Sequence, residues 1–330
     1  MDIVLRSYWQ CGSTPRWRRF ETLLKRSFQD LGHPVHDVPS EGLSPVERGD
    51  SLAIYPHCRK RDVPGGWLFY KEMYLRGLFT LDSQGWGADH SAMDCEPNLG
   101  EIDDERAASF VETIRDRYFS GGASKVPQPE PEPVDETLKP YWLVPLQLQK
   151  DQAIRFFSPI SVVDFVELIA GWAHRRGRKV VFKLHPGHEE PAAAAAVAKW
   201  EAASPFIFCL DHNIHSLIES ALGVAVITSG TGFEALIHGK PVAVMGDVDY
   251  SWVCCRMTRD NLDLVDRYFI DYSRAQTLRA YRFLEFYFTR HAFETHPSME
   301  ERTLARMKAF LAARLPQSAF PVGLQREIRI

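Results

Sequence analysis

The chain has 330 residues, 45% hydrophobic and 25% charged, the balance of a folded globular protein with room for two domains. Its formal net charge of −4 removes the broad basic face that binding a nucleic-acid backbone requires. The six cysteines (Cys11, Cys58, Cys95, Cys209, Cys254 and Cys255) form no C-x-x-C pair and fit reduced thiols in the cytoplasm.

Met1-Asp2-Ile3-Val4-Leu5 is acidic and strand-like, without a signal-peptide layout. After a polar loop, Gln10 to Pro15, an amphipathic helix carries Phe20, Leu23, Leu24, Phe28 and Leu31, and Gly32 and Pro34 stop it. Ser51 to Tyr55 reads as a second strand, Trp67 to Leu81 as one or two more, and Asp103 to Phe119 as a helix closing this half. Residues 121–138, with Gly121, Gly122 and alternating prolines from Pro127 to Pro133, read as a linker between a domain at 1–120 and one at 139–290.

The second half restarts on the strand Tyr141 to Pro145. A helix follows from Ser161, its cap, to Arg176 and ends at Gly177; its apolar stretch Val162 to Ala173 is too short and too charged to span a bilayer. Then come strand 179–184, an alanine-rich helix 191–202, strand 206–210, a helix begun by Asn213, strand 224–228, a short helix from Gly232 and strand 242–245. Such alternation predicts a doubly wound parallel sheet. The chain is mostly helical from Ser273, including Met299 to Leu315, and 291–330 is taken as a C-terminal helical segment.

In an open α/β sheet ligands bind beyond the carboxyl ends of the strands, so the loops after strands are the candidates. Three stand out: Val144-Pro145-Leu146-Gln147 leading to Asp151, then Lys183-Leu184-His185-Pro186, then Thr228-Ser229-Gly230-Thr231-Gly232-Phe233-Glu234. The third suits a phosphate at a helix start, and equally an ordinary capped helix. Gly230, Gly232 and Ala235 also spell G-x-G-x-x-A, but too late in the domain for a dinucleotide fingerprint. His185 at a strand end either binds or protonates a leaving phosphate, or is a structural hydrogen-bonder. Lys183 adds charge or is a solvated strand end, and Asp151 alone reads as a surface carboxylate or a cap. His212 and His215 suggest a metal pair, but surface positions fit them better, so no metal is assigned.

Together the three loops resemble the bacterial β-Kdo transferases of capsule and O-antigen synthesis, which use CMP-Kdo, Kdo being 3-deoxy-octulosonic acid. The capsule members' V-P-G-Q-V-x-x-D is matched by Val144 to Asp151, their K-x-H-P by Lys183 to Pro186, and their T-S-x-T-G-F-E-A-L then G-K by Thr228 to Leu236 and Gly239-Lys240. The match spans about residues 140 to 250. It departs at Asp247 to Trp252, where only Tyr250 remains of the family's Y-A-G-W-G. In the first half, E-D-G-F-L-R is echoed by Lys71-Glu72-Met73-Tyr74-Leu75-Arg76 without its glycine, near a turn-like Gly85-Trp86-Gly87.

The resemblance implies an α/β, GT-B-like fold: two Rossmann-type domains, an interdomain cleft and a helical C-terminus. It implies retaining transfer of β-Kdo from CMP-β-Kdo by double displacement, with no cofactor beyond the donor. Asp151 is then the nucleophile, and Glu72 the base that activates the acceptor, unless Glu72 is merely an exposed strand residue. Gln147, Lys183, His185, Pro186, Thr228, Ser229, Gly230 and Thr231 surround the donor, and Glu234 reaches the ribose or cytosine. The implied acceptor is a lipid-linked or free oligosaccharide, so a cytoplasmic protein associating peripherally with the inner membrane and other polysaccharide-biosynthesis proteins is expected. Competing readings are a CMP-sialic acid transferase or UDP-sugar 2-epimerase, an NAD-dependent oxidoreductase with Asp247 or Asp249 on the ribose, and a non-catalytic scaffold.

Overall fold

A computed structural model describes residues 1–8, 14–39, 51–186 and 190–316. Cys11, most of the expected polar loop after Gln10, and the chain beyond 316 lie outside the described residues. The chain forms two compact units, residues 1–94 with 288–330 and residues 95–287.

The first unit begins with β1 (Ile3–Ser7), α1 (Pro15–Asp30), β2 (Val35–Pro39), β3 (Leu52–Pro56), β4 (Leu68–Glu72) and β5 (Leu78–Asp82). β2, β1, β3 and β4 run parallel, and β5 is antiparallel to β4. α1 buries Trp17, Phe20, Leu23, Leu24 and Phe28 against Ile3, Leu5, Ile54 and Leu68, the helical spacing turning these side chains to one face. Gly32, at φ +83°, supplies the left-handed turn that releases the chain into β2.

The second unit contains α2 (Asp104–Phe119), β6 (Trp142–Pro145), α3 (Gln152–Phe157), α4 (Val162–Arg176), β7 (Val180–Lys183), α5 (Pro191–Ala203), β8 (Ile207–Cys209) and α6 (Ile214–Ser220). It continues through β9 (Gly223–Val226), α7 (Gly230–Ile237), β10 (Val242–Val244), β11 (Cys255–Arg256), α8 (Leu262–Ile270) and α9 (Arg274–Phe286). All six strands are parallel, in the order β11-β10-β9-β6-β7-β8. The inner strands of a parallel sheet covered by helices must be apolar on both faces, and β6, β7, β9 and β10 are buried throughout. The expected caps are present: Ser161 accepts from the Asp164 amide at the start of α4, and Gly177 closes it at φ +64°.

Residues beyond 287 return to the first unit. There β12 (Ala292–Glu294) pairs antiparallel with β5, and α10 (Glu300–Ala312) sets Leu304, Met307 and Leu311 into the same core as α1. The 291–330 segment therefore opens with a strand and completes the first unit.

The observed division differs from the one read at 121–138. α2, expected to close the first half, packs on α9 in the second unit, where Arg282 Nε donates to Asp104 Oδ1 at 2.6 Å. The proline-rich run is a strap on that unit. Asn213 Nδ2 donates to the carbonyls of Gly122 and Pro129, each at 2.9 Å, and the Ile214 amide donates to Gln128 Oε1 at 3.2 Å. Proline removes backbone donors, but the strap's carbonyls can still accept, and Asn213 uses them.

Candidate functional site

The order of the second sheet fixes where a ligand crevice lies. The chain moves outward from β6 through β7 to β8, then crosses back to place β9 on the other side of β6. The direction of progression reverses between β6 and β9, so the loops leaving these two strands diverge around a crevice. These are the first and third loops singled out in the sequence.

One side-chain clasp joins them. Gln147 Oε1 accepts from the Thr228 amide at 3.0 Å, and Gln147 Nε2 lies 3.1 Å from Thr228 Oγ1. Both residues are buried. Gln147 therefore fixes the two loops to each other, a positioning role alongside the expected donor contact.

Ser229 caps α7, its Oγ accepting from the Thr231 amide at 3.2 Å. Tyr250, fully buried, donates its hydroxyl to the Ser229 carbonyl at 2.6 Å and so holds the cap from behind. A Cβ at Gly232 would meet that hydroxyl at 2.5 Å, which explains the glycine. Gly246 lets the loop after β10 close in as well, since a Cβ there would lie 2.7 Å from the Phe157 carbonyl oxygen and 2.4 Å from the Thr228 methyl. Ser229, Gly230 and Thr231 are half-buried at the start of α7, whose first turn carries no acid. The helix dipole there favours an anion.

Asp151 is exposed and caps α3, its Oδ1 accepting from the Ala153 amide at 2.9 Å. It stands on the loop after β6, four residues beyond Gln147. His185 and Pro186 are half-buried on the loop after β7. Lys183 is not a solvated strand end: it is buried, and its Nζ donates to Asp211 Oδ1 at 2.9 Å, tying β7 to the loop after β8. Glu234, in the second turn of α7, is buried and accepts from Ser124 Oγ at 2.6 Å. Burial pushes its carboxyl up to about 7, against the opposing pull of Ser124 and Lys125.

Other expectations are corrected. His215 is buried, with Nδ1 2.9 Å from His238 Nε2 and Nε2 2.8 Å from the Ala123 carbonyl, while His212 faces Glu132 at 3.6 Å. Among the described residues no group of three or more His, Cys, Asp or Glu is gathered as for a metal. Asp249 accepts from Tyr287 Oη at 2.9 Å and Asp247 pairs with Arg256 at 2.8 Å, so both candidates for a dinucleotide ribose are engaged elsewhere. The G-x-G-x-x-A run opens the helix after β9, the fourth strand of its sheet in chain order.

In the first unit Glu72 is buried at the end of β4, not an exposed strand residue. Its Oε1 accepts from Arg16 Nε and from the Gly77 amide, both at 2.7 Å. The Gly85-Trp86-Gly87 turn hangs on Asp82, whose Oδ1 accepts from the amides of Gln84 and Gly85, and Lys71 Nζ sits 3.6 Å above the Trp86 ring.

Residues 123–263, which include nearly all of the strap and all three loops, match the family model described as capsule polysaccharide biosynthesis protein. The capsule polysaccharide export protein KpsS of Escherichia coli is 30% identical over 129 residues, which are 36% of this chain and 33% of that relative. The matched stretch thus spans about a third of the curated relative. Among solved structures, the Thermosulfurimonas dismutans KpsC β-Kdo 2,7 transferase superposes with a TM-score of 0.55 at 16% identity, covering 94% of this chain and 100% of that one. The fold is α/β and GT-B-like. The β-Kdo 2,4 transferase of the same KpsC gives a TM-score of 0.47 at 16% identity, covering 76% of this chain and 81% of that one. No described helix is long and apolar enough to cross a membrane.

Sequence reasoning missed Ser124, which lay in a segment read as linker. It also left Tyr250 without a role, because nothing local shows that its hydroxyl reaches back 21 residues to the α7 cap.

Proposed function

We propose that the chain is a glycosyltransferase that moves β-Kdo from CMP-β-Kdo to a glycan or glycolipid acceptor with retention, in surface-polysaccharide synthesis. The Gln147–Thr228 clasp carries this reading, because it fixes the Asp151 loop and the α7 cap together at the reversal point of the second sheet. The capsule-biosynthesis match over 123–263 and the fold shared with the KpsC structure support it.

In this reading the donor phosphate lies at the start of α7, met by the backbone amides there and by His185. Asp151 attacks the anomeric carbon as its bond to the phosphate oxygen breaks, and CMP leaves with the bonding electron pair. The acceptor hydroxyl then loses its proton to a base, attacks the same carbon and releases the Asp151 carboxylate. Two inversions give net retention.

The test is transfer from CMP-β-Kdo by wild type and Asp151→Asn, with the product's anomeric configuration read by NMR. Loss of at least about a thousandfold in turnover with CMP binding unchanged is expected, since covalent catalysis cannot proceed through the amide. Undiminished turnover would remove Asp151 from the mechanism, and an inverted product would remove the double displacement.

A further inference from the structure

The Ser124–Glu234 contact joins two buried side chains 110 residues apart. No other hydrogen bond to this carboxylate is present among the described residues, which leaves acceptor capacity on Glu234 for a further partner. The strap around Ser124 is held from several sides: Ala123 accepts from His215, and Gly122 and Pro129 accept from Asn213. Ser124 is thus presented to Glu234 by a fixed backbone.

The surroundings isolate this pair electrostatically. α2 and α9 pack on α7, but Arg106 pairs with Glu285, Arg282 with Asp104, and Arg115 donates to the Ile237 carbonyl at the far end of the helix. β9 and β10 contribute only Gly, Val and Ala. His238, at the end of α7 itself, is held neutral by burial. Lys125 on the strap is the charge that acts on Glu234.

We propose that Ser124 is a positioning residue of the nucleotide site, holding the Glu234 carboxylate ionised and oriented to accept hydrogen bonds from the paired hydroxyls of a donor ribose. The inference rests on the nucleotide-sugar reading above and adds the residue that sets its ribose contact. An ionised carboxylate can accept from both vicinal hydroxyls, whereas a protonated one must place its own proton. Burial works against ionisation, and a hydrogen bond donated to the charged form works for it. Without Ser124 the carboxyl titrates at higher pH, and the ribose contact is lost in the neutral range.

The experiment is calorimetric titration of the full chain with CMP from about pH 5.5 to 9, comparing wild type, Ser124→Ala, Ser124→Thr and Glu234→Gln. Wild-type affinity is expected to fall on an acid limb near pH 7. Ser124→Ala should move that limb up by about one pH unit, giving about five-fold weaker binding at pH 7 and near-equal binding at pH 9. Ser124→Thr should restore the wild-type profile. Glu234→Gln should leave only the titration of the phosphate and other groups. A Ser124→Ala loss that is uniform across pH, or a limb near pH 7 that stays unshifted in Glu234→Gln, above the phosphate's own titration at about pH 6, overturns the proposal. UDP binding in place of CMP would sink the donor assignment while the same pH series with UDP still decides Ser124, because the ribose is common to both. Binding of neither nucleotide overturns both.

Discussion

Thr228 is the residue on which the two crevice loops depend, because its buried amide has Gln147 Oε1 as its acceptor. Truncating Gln147 removes the clasp and leaves that amide buried without its partner, at a cost of about 1–3 kcal/mol. Gln147→Ala should lower the urea midpoint accordingly, with no change in m, and should weaken CMP binding because the α7 cap loses its support. Unchanged stability would mean that the clasp opens freely in solution. At this scale the sequence was legible where a residue type has one use in one place: Ser161, Asn213 and Ser229 cap the helices they precede. Lys183 and Glu72 were not, because their partners Asp211 and Arg16 lie 28 and 56 residues away, on the loop after β8 and at the start of α1, and only the folded chain brings them together. Asp151 illustrates a role that sequence leaves double: it caps α3, as its position suggests, and a cap does not prevent its other oxygen from acting on a ligand.

Most elements of the second unit could be read because its strands are short apolar runs separated by capped helices, and a parallel sheet buried on both faces requires that pattern. β2 escaped because Val35-His36-Asp37-Val38-Pro39 is, among the described residues, an edge strand paired only with β1 and half-exposed, so no continuous apolar run marks it. β12 has three residues, too few for any periodicity. The strap misled for a different reason. Prolines and acids look like a linker, and the contacts that hold them to the unit are scattered, among them the Asn213 side chain, which reaches two strap carbonyls while its Oδ1 accepts from the His215 amide. Asn213→Ala should therefore free the 120–138 segment, and limited proteolysis should cut there faster than in wild type while the rest of the chain stays resistant. Equal cleavage rates would show that the remaining strap contacts suffice.

The whole molecule is built to lose stability in acid. Burial holds His238 and His291 down at about 3, the first helped by His215, Arg115 and Lys240 and the second by His90. His215 is lowered by burial as well. These imidazoles stay neutral in the folded state and gain protons on unfolding, so the folded state binds fewer protons between about pH 3 and 6.5. The contribution of these histidines should be fully present above about pH 6.5 and decline as pH falls below it. His238→Gln should flatten the acid limb of Tm against pH, and an unchanged limb would show that other groups cause it. His291 belongs to the first unit and His238 to the second, so the effect should reach both. The return of 288–330 to the first unit could not be read in the sequence, since its partners, β5 and α1, lie about two hundred residues earlier or more.

We propose that the crevice of the second unit holds a cytidine nucleotide. Calorimetric titration of the purified chain with CMP, UDP and NAD tests it most directly. Selective binding of CMP, weakened in His185→Ala, is the predicted result. A preference for UDP would contradict the donor, and binding of NAD alone would contradict the transferase reading altogether.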